Sequence, residues 1–158
     1  MFNRRLFRPI LLLIISLLVG CASTSKPTIV KASVETKAMV NPDVKGRASP
    51  IVVKVYALKS LSAFNNADFF SLMDKDKETL GAEFLDKEEL QLMPGQKREL
   101  QKQFPSETRY IGVIAAFRDL ERSQWRTSTE IKEQKKSSTE ITLEGNKVSI
   151  SQPKTSFF

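Results

Sequence analysis

From Val30 to Ala38 the chain alternates, with Val30, Ala32, Val34, Thr36 and Ala38 on one side and Lys31, Ser33, Glu35 and Lys37 on the other. A period of two marks a strand with one dry face. The segment from Asn41 to Pro50, "NPDVKGRASP", breaks the pattern with Asn-Pro, Gly46 and Pro50 and reads as a loop. Ile51 to Leu58 is rich in β-branched residues and apolar on both faces, which predicts a central strand. Glu88 to Leu92 alternates again, Met93-Pro94-Gly95-Gln96 fits a type II turn, and Arg98, Leu100, Lys102 and Phe104 continue on a returning strand. Tyr110 to Phe117 is the most apolar run of this region and predicts the core strand of one sheet; Trp125-Arg126-Thr127 opens another extended piece. Lys132 to Ser138 is charged without a period and reads as a solvated loop. Thr139 to Leu143 and Lys147 to Ser151 flank Gly145-Asn146, a type II′ hairpin signal that sets Leu143 opposite Val148 and Ile141 opposite Ile150. About eight short strands at this spacing predict an antiparallel β-sandwich of roughly immunoglobulin size.

One stretch does not fit an all-β pattern. In "NNADFFSLMDKDKETLG", residues 65 to 81, Asp68 is placed to cap a short helix whose Phe69, Phe70 and Met73 share one face. The run Asp74-Lys75-Asp76-Lys77-Glu78 then resembles a calcium loop, but the sixth and twelfth positions are Thr79 and Leu85 where Gly and Glu are needed. Its lysines also repel a cation, so the run reads as a solvated helix end and no metal is expected.

The N-terminus changes the picture of where the domain works. Arg4, Arg5 and Arg8 precede an apolar run from Ile10 to Val19, long enough for a signal-peptide core and too short to span a bilayer. It closes on Leu18-Val19-Gly20-Cys21, which resembles a bacterial lipobox, with cleavage expected between Gly20 and Cys21. The Cys21 sulfur would take diacylglycerol as a thioether and the freed amine an acyl group, giving near-permanent anchoring. Ala22 in place of an aspartate favours the outer membrane. The expected organisation is a cleaved signal peptide at 1–20, a lipidated tether at 21–27, and a sandwich domain at 28–158 with a helical insertion at about 60–82. Cleavage removes three arginines, so the formal charge of +7 falls to +4 and basic residues are interspersed with acids. That balance, in an envelope compartment, does not point to nucleic acid.

Composition also narrows the chemistry. The chain has no histidine, and Cys21 is its one cysteine. The commonest general base, the commonest metal ligand and any disulfide are thereby absent, and the chain is expected not to be an enzyme. No cofactor beyond the covalent lipid and no small-molecule substrate is expected. Tyr56, Phe64, Phe69, Phe70, Phe84, Tyr110, Phe117 and Trp125 could line a ligand cavity but read first as core. A lipid-facing barrel, suggested by the terminal Phe157-Phe158, conflicts with the lipobox and with charges on both faces of most strands.

Three segments in order, "SPIVVKVYALKSLSAFNNADFFSLMDKDKETLG", "EELQLMPGQ" and "RYIGVIAAFRDLERSQWR", resemble the TssJ family of type VI secretion outer-membrane lipoproteins from about Ser49 to Arg126. The resemblance implies a mainly β, transthyretin-like two-sheet antiparallel sandwich with a short helical insertion. It implies an assembly role: an outer-membrane subunit, facing the periplasm, that binds the periplasmic C-terminal region of the inner-membrane subunit TssM. It further implies that the loop between the first two strands makes much of the contact, here Asn41, Pro42, Asp43, Val44, Lys45, Gly46, Arg47, Ala48 and Ser49. Read without the resemblance, the same loop is an ordinary strand connection. The alternative function is a periplasm-facing lipoprotein that binds a small ligand or inhibits an envelope enzyme.

Overall fold

The computed structural model describes residues 26–132 and 135–153. They form strands β1 (Thr28–Val40), β2 (Ile51–Leu58), β3 (Phe84–Leu92), β4 (Lys97–Phe104), β5 (Tyr110–Ala115), β6 (Arg126–Glu130), β7 (Lys136–Gly145) and β8 (Lys147–Ser151). Between β2 and β3 lie three short helices, α1 (Ser62–Asn66), α2 (Phe69–Asp74) and α3 (Asp76–Leu80), and a single 3₁₀ turn. The strands make two four-stranded sheets, β4-β1-β7-β8 and β3-β2-β5-β6, packed as a sandwich. The expected fold class is the observed one. One pair departs from the antiparallel rule, because β1 and β7 run parallel from Ile29↔Lys136 to Thr36↔Leu143.

The alternation along β1 does what its period requires as far as Thr36; beyond it the register with β7 shifts, so Ala38, expected on the dry face, is exposed and Val40 is buried. Val30, Ala32 and Val34 are buried between the sheets with Val53, Val55, Ile111, Val113, Ile141 and Leu143, while Lys31 points to solvent. β2 and β5 are apolar on both faces for a different reason on each side. Their inner faces meet the other sheet, and their outer residues Tyr56, Leu58 and Ile114 lie under the helices with Phe64, Leu72 and Leu80. The helical insertion is therefore a third layer with its own small core.

Close contact in that layer explains Gly112. A Cβ built there would stand 2.9 Å from Phe64 Cζ and 3.0 Å from Leu58 Cδ1, both on fully buried side chains. The Gly112→Ala variant is expected to unfold in urea with about 1–3 kcal/mol less stability, since overpacking forces the Phe64 ring off its seat. An unchanged urea midpoint would show that the ring has room to move.

The hairpin of β7 and β8 has the expected register, Leu143↔Val148 and Ile141↔Ile150. Gly145 has φ of 54° while Asn146 is not left-handed, the pattern of a II′ turn. The turn at 93–96 also forms, with Gly95 at φ 74° and Gln96 N–H bonded to Met93 O at 3.1 Å. It does not return the chain within one sheet, however: β3 pairs with β2 and β4 with β1. Thr36 of β1 pins this corner, its Oγ1 lying 2.6 Å from Met93 O and accepting Gln96 N–H at 2.9 Å. Where β3 and β4 face each other, Lys102 crosses the seam to Glu88 at 2.9 Å and Asp86 at 3.2 Å.

Three local expectations are corrected. Lys136 to Ser138, read as solvated loop, already belong to β7 and pair with Ile29 to Lys31. The single amphipathic helix is three short ones, and α2 buries Phe69 and Leu72 with Met73 half-buried, leaving Phe70 65 % exposed. Residues 69, 72 and 73 form the inward face because Phe69 is fixed edge-on to Trp125 at 5.4 Å, which turns Phe70 about 100° away. Asp68 caps α2 as expected, accepting Ser71 N–H at 2.9 Å.

The third correction concerns the acid run. Asp76 is 6 % exposed rather than solvated, and its carboxylate is taken by Lys87 Nζ at 2.5 Å and Lys54 Nζ at 3.4 Å. Lys54 also donates to Met73 O at 2.6 Å. Burial, then the charge of Asp76, pushes the Tyr56 hydroxyl up in pKa, so it stays protonated and donates to Leu72 O at 2.9 Å. The run is a buried lock between sheet and helices.

Candidate functional site

Four connections gather at the pole of the sandwich farthest from Thr28: the loop 41–50, the corner 93–96, the segment 116–125 and the hairpin turn at 145–146. Asn41 ties three of these together. It is buried, sits at φ 50°, donates N–H to Gly145 O at 2.8 Å and Nδ2–H to Pro50 O at 2.8 Å, and accepts Arg118 N–H at 2.8 Å. Asparagine tolerates this left-handed conformation better than most residues, and its amide supplies both a donor and an acceptor.

The loop is internally bonded. Asp43 Oδ1 accepts Lys45 N–H and Arg47 N–H, each at 2.9 Å, and Oδ2 accepts Arg47 Nε–H at 2.8 Å. Backbone bonds run from Asp43 N to Arg47 O at 2.9 Å and from Gly46 N to Asp43 O at 2.8 Å, with Gly46 at φ 75°. The Arg47 backbone amide, followed by its guanidinium, holds the Asp43 carboxyl below the usual carboxylate range. Ser49 N–H closes the loop on Val40 O at 3.1 Å.

This arrangement sorts the residues singled out in the sequence. Asn41 and Ser49 are buried and hold the base, Pro42, Asp43 and Ala48 are half-buried, and Val44, Lys45, Gly46 and Arg47 are exposed. Asp43 and Arg47 are engaged with each other, so Val44 and Lys45 form the outward tip. Gly20 and Cys21 lie outside the described residues, as do Phe157 and Phe158.

Residues outside the loop share its pole. Four large hydrophobic side chains are exposed among the described residues, and Met39, Val44 and Met93 belong to this end. Beside the loop an open groove of about 710 Å³ runs between Pro42, Asp43 and Val44 on one side and Arg118, Asp119 and Arg122 on the other. The alternation along β1 and the turn signal at Met93 placed each methionine locally, but neither shows that they meet around one loop.

The aromatics, by contrast, pack on one another. Tyr56, Phe64, Phe84, Tyr110 and Trp125 belong to the cluster under the helices, with Tyr56 edge-on to Phe64 at 5.9 Å, and Phe117 joins the main core. Arg126 stacks on Trp125 at 4.7 Å and donates to Phe64 O and Ala67 O at 2.7 and 2.9 Å, satisfying carbonyls at the end of α1. Among the described residues no group of three His, Cys, Asp or Glu side chains is placed to hold a metal.

The family of type VI secretion lipoproteins described by VasD, EvfM and TssJ matches residues 28–146. The chain belongs to this family. The TssJ1 lipoprotein of the Pseudomonas aeruginosa type VI system is 34 % identical, superposes with a TM-score of 0.77, and the match covers 80 % of this chain and 96 % of that one. The Serratia marcescens protein Lip, described as a membrane-bound component of the type VI secretion system, is 27 % identical with a TM-score of 0.73 over 78 % and 97 % of the two chains. A chain of the structure named "T6SS protein TssM C-terminal domain (869-1107) from EAEC" shares the fold, at 22 % identity and a TM-score of 0.65, over 77 % of this chain and 99 % of that one. A search of curated proteins finds no match. As a TssJ-family member the chain is a component of a secretion system and of a lipoprotein class, and the family is not one of enzymes. Its helical layer and pre-bonded 41–50 loop are thus features of a type VI lipoprotein.

Proposed function

We propose that this chain is the outer-membrane-anchored subunit of the type VI trans-envelope complex and binds the periplasmic C-terminal region of the inner-membrane subunit TssM through its 41–50 loop pole. The observation that carries this reading is the pre-ordered loop at the pole away from the N-terminal tether. Its tip shows Val44 fully exposed while Asp43 and Arg47 fix its shape. A rigid loop loses little freedom on binding, and an exposed apolar tip beside a groove lined by Arg118, Asp119 and Arg122 suits a protein partner. Family membership and the structure named for a TssM domain support the choice of partner.

Binding of the full-length lipoprotein in detergent to the TssM periplasmic region tests the reading. Val44→Asp is expected to weaken it at least about tenfold, a loss of about 1.4 kcal/mol. Asp43→Ala is expected to weaken it several-fold by loosening the loop, with the domain still folded. If the unaltered protein shows no binding to that region, the proposal fails.

A further inference from the structure

The pole opposite the loop is where the tether enters, and the starts of β1, β5 and β7 and the ends of β2, β4 and β6 meet there. Ile29 N–H bonds Lys135 O at 3.2 Å, Arg109 N–H bonds Leu58 O at 3.0 Å, and Ile131 N–H bonds Arg109 O at 2.8 Å. These bonds bring the start of β1, Arg109 after the 105–108 turn, and Ile131 and Lys135 into one surface.

That surface is basic. Lys26, Lys59, Arg109, Lys132, Lys135 and Lys136 lie there against Glu83, Glu107 and Glu130. Glu107 is engaged by Lys59 at 2.9 Å, and Glu83 accepts the Ala63 N–H at 2.9 Å. Lys26, Lys132, Lys135 and Lys136 are all exposed. The described large hydrophobics that are exposed lie elsewhere, at Met39, Val44, Phe70 and Met93, so among the described residues this pole offers charge and not insertion.

Chain length selects the same surface. Only six residues, or seven Cα–Cα steps, separate Cys21 from Thr28. They reach about 25 Å when fully extended and about 15 Å on average as a flexible chain. A lipid on Cys21 would therefore keep this pole within about two to three Debye lengths of a headgroup layer. The loop pole also carries cations, so charge alone does not choose an end; the tether does.

We propose that the tether pole docks on anionic phospholipid headgroups through Lys26, Lys132, Lys135 and Lys136, standing the domain end-on with the 41–50 loop directed away from the bilayer. The inference rests on lipidation of Cys21 within the function proposed above. Each basic side chain held near an anionic leaflet favours the docked orientation by about fivefold. β1 spans twelve residue steps from Thr28 to Val40, so an upright domain lifts its loop pole about 40 Å from the surface. A freely tilting domain would sample much shorter separations.

The test is energy transfer from a donor on Lys45→Cys to an acceptor dye on lipid headgroups, using the full lipidated chain in vesicles. Cys21 is the one native cysteine, and as a diacylglyceryl thioether it would have no free thiol, so the added thiol is labelled alone. Transfer is expected to fall at least about twofold when phosphatidylglycerol is added to phosphatidylcholine vesicles. High salt, or Lys132→Glu/Lys135→Glu/Lys136→Glu, is expected to remove that difference. The milder triple glutamine variant should remove most of it, and Trp125 emission checks that each variant is folded. Equal transfer on both vesicle types, or a folded charge-reversed variant that still responds to the anionic lipid, overturns the proposal. TssM binding in detergent separates the two readings: the charge-reversed protein should bind normally, whereas loss of binding by the unaltered protein refutes the partner and not the docking.

Discussion

Replacing Asp76 with alanine is expected to lower the unfolding free energy by about 3 kcal/mol, read by urea denaturation at pH 7. The size follows from what the change strands. Lys54 is 5 % exposed at its side chain and loses its close carboxylate, keeping the Met73 carbonyl at 2.6 Å and the half-exposed Glu89 at 3.8 Å. Removing one partner of a buried ion pair leaves a desolvated charge and is costly even where the intact pair adds little. The Asp76 side chain also accepts Lys77 N–H at 2.8 Å, so the start of α3 loosens too. The double variant Lys54→Met/Asp76→Leu should recover most of the loss, because an apolar pair of similar volume suits the site. A single variant within 0.5 kcal/mol of the parent, the spread of ordinary surface changes, would show that the lock is not structural.

The same group gives the domain a pH dependence with a definite sign. Burial alone would raise the Asp76 pKa, but the Lys87 hydrogen bond and the charges of Lys54 and Lys87 outweigh it and leave the value below the ordinary one. The folded state thus binds its proton less readily than the unfolded chain. The stabilisation is complete above the ordinary carboxylate value of about 4 and is lost as pH falls below it through the depressed folded value. Trp125 emission should report the helical layer loosening over that range, since Phe69 of α2 holds the indole edge-on.

The second large effect is functional. Cys21→Ser is expected to remove the protein from the outer-membrane fraction and to abolish type VI secretion, while TssM binding in solution persists. A serine hydroxyl cannot form the thioether on which the remaining processing depends. One acyl chain would give only reversible binding, whereas the several chains expected on Cys21 hold the protein against the pull of a trans-envelope assembly. Fractionation with an acyl label checks the first part and a secretion assay the second. A serine variant that still carries label and sediments with membranes would refute the assignment of Cys21.

Local periods were legible because they depend on residues only a few positions apart. Val30 to Val34, the II′ hairpin at Gly145 and the cap at Asp68 all stand where their patterns put them. The loop 41–50 was legible as a loop and, through the TssJ resemblance, as a candidate contact. Its division into Asn41 and Ser49 at the base and Val44 and Lys45 at the tip was not. That division depends on Gly145 and Arg118, which are remote in sequence and contribute the atoms that bury Asn41.

By itself, then, the sequence determined the strand periods, the turns and the family. Tertiary structure decided which sheet each strand joined, sending β3 and β4 to opposite sheets and laying β7 parallel to β1. It also turned the acid run that looked like a wet helix end into the buried lock at Asp76. The physical reason is the same in each case. A side chain's period reports which face is dry, but the free energy of burying a charge or an edge depends on groups brought from far along the chain. Lys54 and Lys87 stand 22 and 11 residues from Asp76, and only the packed helices bring them to it.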